Sequence, residues 1–124
     1  MRCYIAPMNS ATNLKVVRPS YHHGDLRQAL LMAAKALIAE AGIENLSLRK
    51  LAERAGVSRT APYHHFSDKN DLLCAIAAQG FLRRHQEARD TFNDPRLTAE
   101  EKFAEFICGY VRFAANNPEE YELM

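Results

Sequence analysis

The run from Leu48 to Leu72, LRKLAERAGVSRTAPYHHFSDKNDL, admits few folds, because its spacing describes two short helices meeting at a glycine corner. Leu48, Leu51, Ala52 and Ala55 recur three and four apart, which lines one face of a short helix opened by Ser47 as N-cap. Gly56 supplies the positive φ that ends this helix, and Val57 plugs the corner. Ser58 is a second N-cap, and the helix it opens at about 59–65 carries Tyr63 and Phe66 toward a core. Ala52, four places before the glycine, is small enough for the two helix axes to approach closely. A corner whose second helix begins Ser-Arg-Thr has the form of a helix-turn-helix, the motif that enters a DNA major groove.

Helical periodicity continues on both sides, and no stretch alternates as a strand does. Leu26, Ala29, Leu30, Ala33, Ala34, Leu37 and Ala41 form a stripe that predicts a helix from about Asp25 to Ala41, ended by Gly42. Ser67 is expected to cap a long helix over about 68–91, with Leu72, Leu73, Ile76, Ala77 and Phe81 on its apolar face. Thr98 and Glu101 make a capping box for the next helix, striped by Phe103, Phe106, Ile107, Tyr110, Val111 and Ala114. Asn117-Pro118-Glu119-Glu120 reads as a cap, an N1 proline and two first-turn acids, which start a last helix. The fold class is therefore all-α: a three-helix helix-turn-helix domain over 21–67, then a connecting helix and further helices over 68–124. Residues 1–20 hold three basic residues, no acid and two prolines, and read as a flexible basic leader.

The overall charge of +1, taken alone, argues against a nucleic-acid partner, but its distribution reverses that reading. Residues 1–70 hold ten Lys/Arg and five Asp/Glu, whereas 71–124 hold six and ten. A basic half bearing the helix-turn-helix fits a phosphate-facing module with a different module behind it. Cys3, Cys74 and Cys108 are odd in number and lack a C-x-x-C pair, which suits free thiols in a reducing cytosol. No apolar run approaches the roughly 18 residues a membrane span needs. Neighbouring His22-His23 and His64-His65 point to different sides of a helix and do not chelate as an i, i+4 pair would. With no H-E-x-x-H, G-x-S-x-G or phosphate-cradling glycine loop, neither an enzyme nor a metal or cofactor site is expected.

Three segments together resemble the TetR/AcrR family of bacterial transcriptional regulators: YHHGDLRQALLMAA, LSLRKLAERAGVS, and the series Tyr63, Phe66, Lys69, Leu72. The later YVRFAANNPEEYELM is similar to the start of the ligand-binding domain in one branch of that family. The resemblance implies a cytoplasmic homodimer that binds double-stranded DNA at a palindromic operator, usually as a repressor. It also implies a small-molecule effector, bound in the helical C-terminal domain, that releases the DNA. Family members carry further helices that complete the effector pocket and the dimer bundle, so a truncated ligand-binding domain is expected here, with the later apolar stripes uncovered. The competing reading is a truncated regulator that does not bind DNA stably alone and acts as a heterodimerising fragment or is inactive.

The candidate DNA-binding residues are Ser47, Arg49, Ser58, Arg59, Thr60, Ala61, Tyr63, His64 and Lys69. Arg59, first after Ser58, has a fork that matches guanine O6 and N7; Thr60 offers a hydroxyl and a methyl, and Ala61 allows close approach. Pro62, in the first turn, forfeits at most one hydrogen bond. Tyr63 has two readings, one half-packed at the DNA with its hydroxyl toward phosphate, as the resemblance implies, and one purely core. His64 is the better phosphate contact of the histidine pair, by the resemblance and by its place on the helix. Lys69 in a first helical turn opposes the helix dipole, which suggests an external anion such as a phosphate. Ser47 and Arg49 open the other helix and face backbone, with a base also within the reading for Arg49, while Lys50 and Arg54 read as solvated charges.

Overall fold

A computed structural model describes residues 23–124, and the leader expected over 1–20 lies outside them. Among the described residues there are five α-helices, two short 3₁₀ turns and no strand: α1 (His23–Ala41), α2 (Leu48–Ala55), α3 (Lys69–Asn93), α4 (Ala99–Asn116) and α5 (Pro118–Leu123). The 3₁₀ turns are Ile43–Asn45, which the sequence reading did not anticipate, and Ala61–His64.

Each boundary has a local cause. At the end of α1, Gly42 (φ 78°) turns the chain while its N–H donates to the Ile38 carbonyl at 2.7 Å. The Asn45 side-chain amide donates back to the Ala41 carbonyl at 2.7 Å, which occupies an end carbonyl that the helix leaves open. Ser47 caps α2 by accepting from the Lys50 N–H. Gly56 (φ 66°) closes α2 as a Schellman turn, with Val57 N–H donating to the Ala52 carbonyl (3.1 Å) and Gly56 N–H to that of Glu53 (3.3 Å).

Two caps differ from expectation. Asp68, not Ser67, caps α3: its carboxylate accepts from Asp71 N–H at 2.8 Å, and the Asp71 carboxylate accepts from Ser67 N–H at 2.9 Å. A charged acceptor complements the positive start of the helix better than a hydroxyl, so the aspartate takes the capping position. Ser58 caps nothing either, since its hydroxyl lies 3.3 Å from that of Thr60 and makes no cap bond. The expected capping box of Thr98 and Glu101 is present.

Leu30, Leu31, Ala34 and Ile38 of α1 pack with Leu46, Leu48, Leu51, Phe66, Leu72 and Ile76 in one core. Burying a side chain of this size stabilises by roughly 1.5–3 kcal/mol, so this cluster fixes the α1–α2–α3 arrangement. Ala52 is fully buried at the crossing, where a larger residue would separate the axes. Farther along α3, the buried row Leu72, Ile76, Gly80, Arg84 turns from that core toward α4 and α5. At Gly80, a Cβ would lie 2.7 Å from the Met124 sulfur, so the glycine lets the end of α5 sit against α3.

The expected α4 stripe faces largely outward: Phe103, Ile107, Tyr110 and Val111 are exposed, and Phe113, outside the stripe, is buried. The buried or half-buried side is Lys102, Phe106, Gly109 and Phe113. That is one position, or about 100°, around the helix from Phe103, Ile107 and Tyr110. Gly109 explains the rotation, because a Cβ there would lie only 3.3 Å from Arg84 Nη1.

Candidate nucleic-acid interface

The segment after Gly56 is the element that departs most from the sequence reading. A seven-residue α-helix over 59–65 is replaced by a turn at 59–60 and 3₁₀ geometry over Ala61–His64. Pro62 is the cause. In a helix starting after Ser58, the first i→i−4 bond would run from residue 62 to the Ser58 carbonyl, and proline has no N–H to give. Ala61 N–H instead donates to Ser58 (3.0 Å) and Tyr63 N–H to Thr60 (3.1 Å), both i→i−3. Phe66 N–H then donates to the Pro62 carbonyl at 2.9 Å. Pro62 itself is fully buried, and with Phe66 it anchors the turn to the core.

With Pro62 and Phe66 inward, the residues between and before them are pushed out. Ser58, Arg59, Thr60 and His64 are exposed, Ala61 is half-buried, and Tyr63 is 58% exposed, which corrects its core reading. Arg59 has no ion pair among the described residues. These side chains form one polar, basic tip at the corner.

Ser47, Arg49, Tyr63 and Lys69 converge elsewhere, around a shallow hollow of about 290 Å³ walled also by Leu46, Leu48, Ser67 and Asp68. Two helix starts open onto it, those of α2 and α3. Each leaves N–H groups directed outward, and Arg49 and Lys69 add positive charge. Arg49 is held only by a 3.4 Å contact with exposed Glu53. The nine candidates therefore divide into a tip (Ser58, Arg59, Thr60, Ala61, His64) and a hollow beside it, with Tyr63 between them.

Two basic residues expected to be merely solvated have partners. Arg54 donates twice to Glu40 of α1, at 2.8 and 2.5 Å. That pairing holds the Glu40 carboxyl below its ordinary range and raises Arg54. Lys50 Nζ donates to the Asn45 carbonyl at 3.0 Å. Both tie α2 to the segment before it.

Sequence reasoning missed two charged features in the second half. Glu120 is buried and bridges Lys35 of α1 and Arg83 of α3, whose Nη2 lies 2.5 Å from Glu120 Oε2. Arg84, 7% exposed, stands at the wall of a cleft of about 500 Å³ between α3 and α4. Its signal was available, because Arg84 continues the i+4 row of Leu72, Ile76 and Gly80 at what should be an apolar position. Among the described residues no cluster of His, Cys, Asp and Glu suits a metal ion, and no helix is long and apolar enough to cross a membrane.

Comparison with known proteins agrees with the corner motif. Residues 30–76 match the family described as bacterial regulatory proteins, tetR family. The HTH-type transcriptional repressor AcnR of Corynebacterium diphtheriae is 44% identical over 57 residues, covering 46% of this chain and 30% of the relative. The tetracycline repressor protein class A from transposon 1721 of Escherichia coli is 37% identical over 83 residues, covering 67% and 35%. This chain thus spans about a third of the length of the curated relatives it matches. A solved structure of a protein with unknown function from Rhodococcus sp. RHA1 superposes with a TM-score of 0.72 at 40% identity, covering 86% of this chain and 55% of that one.

Proposed function

This chain belongs through residues 30–76 to the tetR family of bacterial regulatory proteins, and we propose from that membership that it is a DNA-binding transcriptional repressor. The corner tip enters the major groove: Arg59 reads a guanine edge, Thr60 and Ala61 meet a neighbouring base, and Ser58 and His64 contact phosphate. Ser47, Arg49, Tyr63 and Lys69, around the hollow, hold the adjacent backbone. The observation that carries the reading is that Pro62 and Phe66 are buried while Arg59, Thr60 and His64 are exposed, a presentation that needs no rearrangement.

The operator is palindromic and the working species a homodimer, with half-sites about 34–36 Å apart. Linking two half-sites raises affinity by roughly 10²–10⁴ over one head alone. A small molecule bound by the second half releases the DNA.

The test is selection from random duplexes at two salt concentrations with the chain and two variants. Arg59→Ala is expected to lose about 1–3 kcal/mol of specific binding and to relax preference at one base pair. Lys69→Ala should weaken all sequences alike and lower the salt slope by about one. If both variants select the same sequences as the wild type with the same salt dependence, the docking geometry is wrong.

A further inference from the structure

We propose that the cleft between α3 and α4 binds a small aromatic carboxylate, held by the Arg84 guanidinium. The cleft encloses about 500 Å³, a size that suits a small organic ligand. Its wall combines Arg84, Glu87, Gly109 and the rings of Phe106 and Phe113.

A guanidinium carries five N–H donors, and a buried one is costly unless they are met. Arg84 meets few of them. Nη1 pairs with Glu87, Nη2 makes only a 3.4 Å contact with the Phe106 carbonyl, and buried Nε has no partner. The unmet Nε is closed to solvent, so a ligand carboxylate engages Arg84 at Nη1 and Nη2, in place of Glu87. Glu87, the one acidic partner, is half exposed and can turn to water when a ligand takes its place.

The surroundings are built for a flat, delocalised cation. The Arg84 guanidinium carbon lies 6.0, 5.6 and 5.9 Å from the ring centres of Phe106, Tyr110 and Phe113. Gly109 provides the space opposite, as a Cβ there would stand 3.3 and 3.6 Å from Nη1 and Nη2. Rings and fork together select a planar apolar body bearing one carboxylate. Elsewhere in the cleft Arg83 pairs with Glu120 and Arg112 with Glu105, while Asp90 accepts from the neutral Gln86 amide and keeps its charge, so the preference for a carboxylate rests on Arg84 alone.

This inference rests on the reading of the second half as ligand-responsive, and binding is measured directly so that the two can fail separately. The full chain is titrated by calorimetry and by NMR with 2-naphthoate, its neutral amide 2-naphthamide, and the cation 2-naphthylmethylamine. Naphthoate should bind at least about tenfold tighter than the amide, and the amine least. Arg84→Met should abolish the preference for naphthoate over the amide. Glu87→Gln, which removes the competing carboxylate, should tighten naphthoate by about three- to tenfold. A purely structural Arg84–Glu87 pair would not yield tighter binding, so this variant decides the matter even if Arg84→Met fails to fold. Equal binding of amide and carboxylate, preference for the amine, or a Glu87→Gln variant that binds naphthoate no tighter would each overturn the proposal. Naphthoate binding that leaves a selected DNA duplex in place would uphold the site and refute its role in release.

Discussion

Glu120 gives the sharpest test of how the second half is joined to the first. Its side chain is 4% exposed, with one oxygen on Lys35 and the other 2.5 Å from Arg83, whose Nη2 also donates to Asn117 Oδ1 at 3.0 Å. Removing one partner of a fully buried ion pair costs about 3–5 kcal/mol, whereas exposed pairs contribute about 0–1. The clamp lies between these limits, because Lys35 is 26% and Arg83 43% exposed and each can recover water when the carboxylate is lost. Glu120→Gln also recovers the desolvation cost of the buried charge. The expected loss is therefore about 2 kcal/mol, and Lys35→Met, which leaves Glu120 its arginine, should lose about 1. Urea unfolding followed by circular dichroism on both variants and the double mutant measures these values. A coupling of about 0.5–1 kcal/mol is expected in the cycle. Glu40→Gln breaks a pair exposed on both sides and should cost less than Glu120→Gln. A Glu120→Gln midpoint within error of wild type at unchanged m, or a cycle with no coupling, would refute the clamp.

Pro62→Ala restores the missing N–H, and the i→i−4 bond to the Ser58 carbonyl should form, extending α-helix through 60–64. Amide exchange and secondary chemical shifts should show a protected residue 62; a freely exchanging amide would mean that proline does not set the 3₁₀ geometry. Asp94 supplies a pH test. The Arg96 side chain, aided by its backbone N–H, holds the carboxyl down at about 2 from its ordinary 3.8. A folded value below the unfolded one means that the contribution is complete above 3.8 and is lost as pH falls through about 2. A carboxyl-carbon NMR titration should give that midpoint, and Arg96→Ala should return it toward 3.8; a midpoint unmoved by the substitution would assign the shift to another cause.

The parts of the fold legible in the sequence were those governed by one strong local rule. Ser47, Gly42, Gly56 and the Thr98–Glu101 box each act within a turn of chain, and each stands where its chemistry puts it. Where two local rules compete, sequence alone does not rank them. Ser67 and Asp68 are adjacent cap candidates, and the carboxylate prevails. At Pro62 the reading weighed the one lost bond correctly but not its position; losing the first α-helical bond changes the kind of helix. The α4 stripe failed for a different reason. Its apolar surface is wider than one neighbour can cover, and the side that packs is chosen by Gly109 and Arg84, a contact between helices. The candidate interface was legible as a set of residues, but its division into tip and hollow was not, because that depends on the angle at Gly56.

The clamp and the cleft share residues, and this decides how the two halves can communicate. Arg83 and Asn117 line the cleft, and Arg83, which donates to Asn117, also holds Glu120, which in turn holds Lys35 of α1. Arg84 lies on the same helix as Lys69, fifteen residues or about 22 Å away along α3. A continuous helix and a buried ion clamp both transmit displacement rather than absorb it, and Gly80, the glycine within α3, is packed against Met124. A ligand in the cleft acts on the tip only if it prefers one placement of α3 and α5 against α1 over another. Such coupling is reciprocal: a ligand that weakens DNA binding tenfold, about 1.4 kcal/mol, must itself be weakened tenfold by DNA. Breaking the clamp with Glu120→Gln should then reduce that mutual effect while leaving both separate affinities nearly intact. A loss of DNA affinity alone would instead mean that Glu120 merely supports the fold of α1.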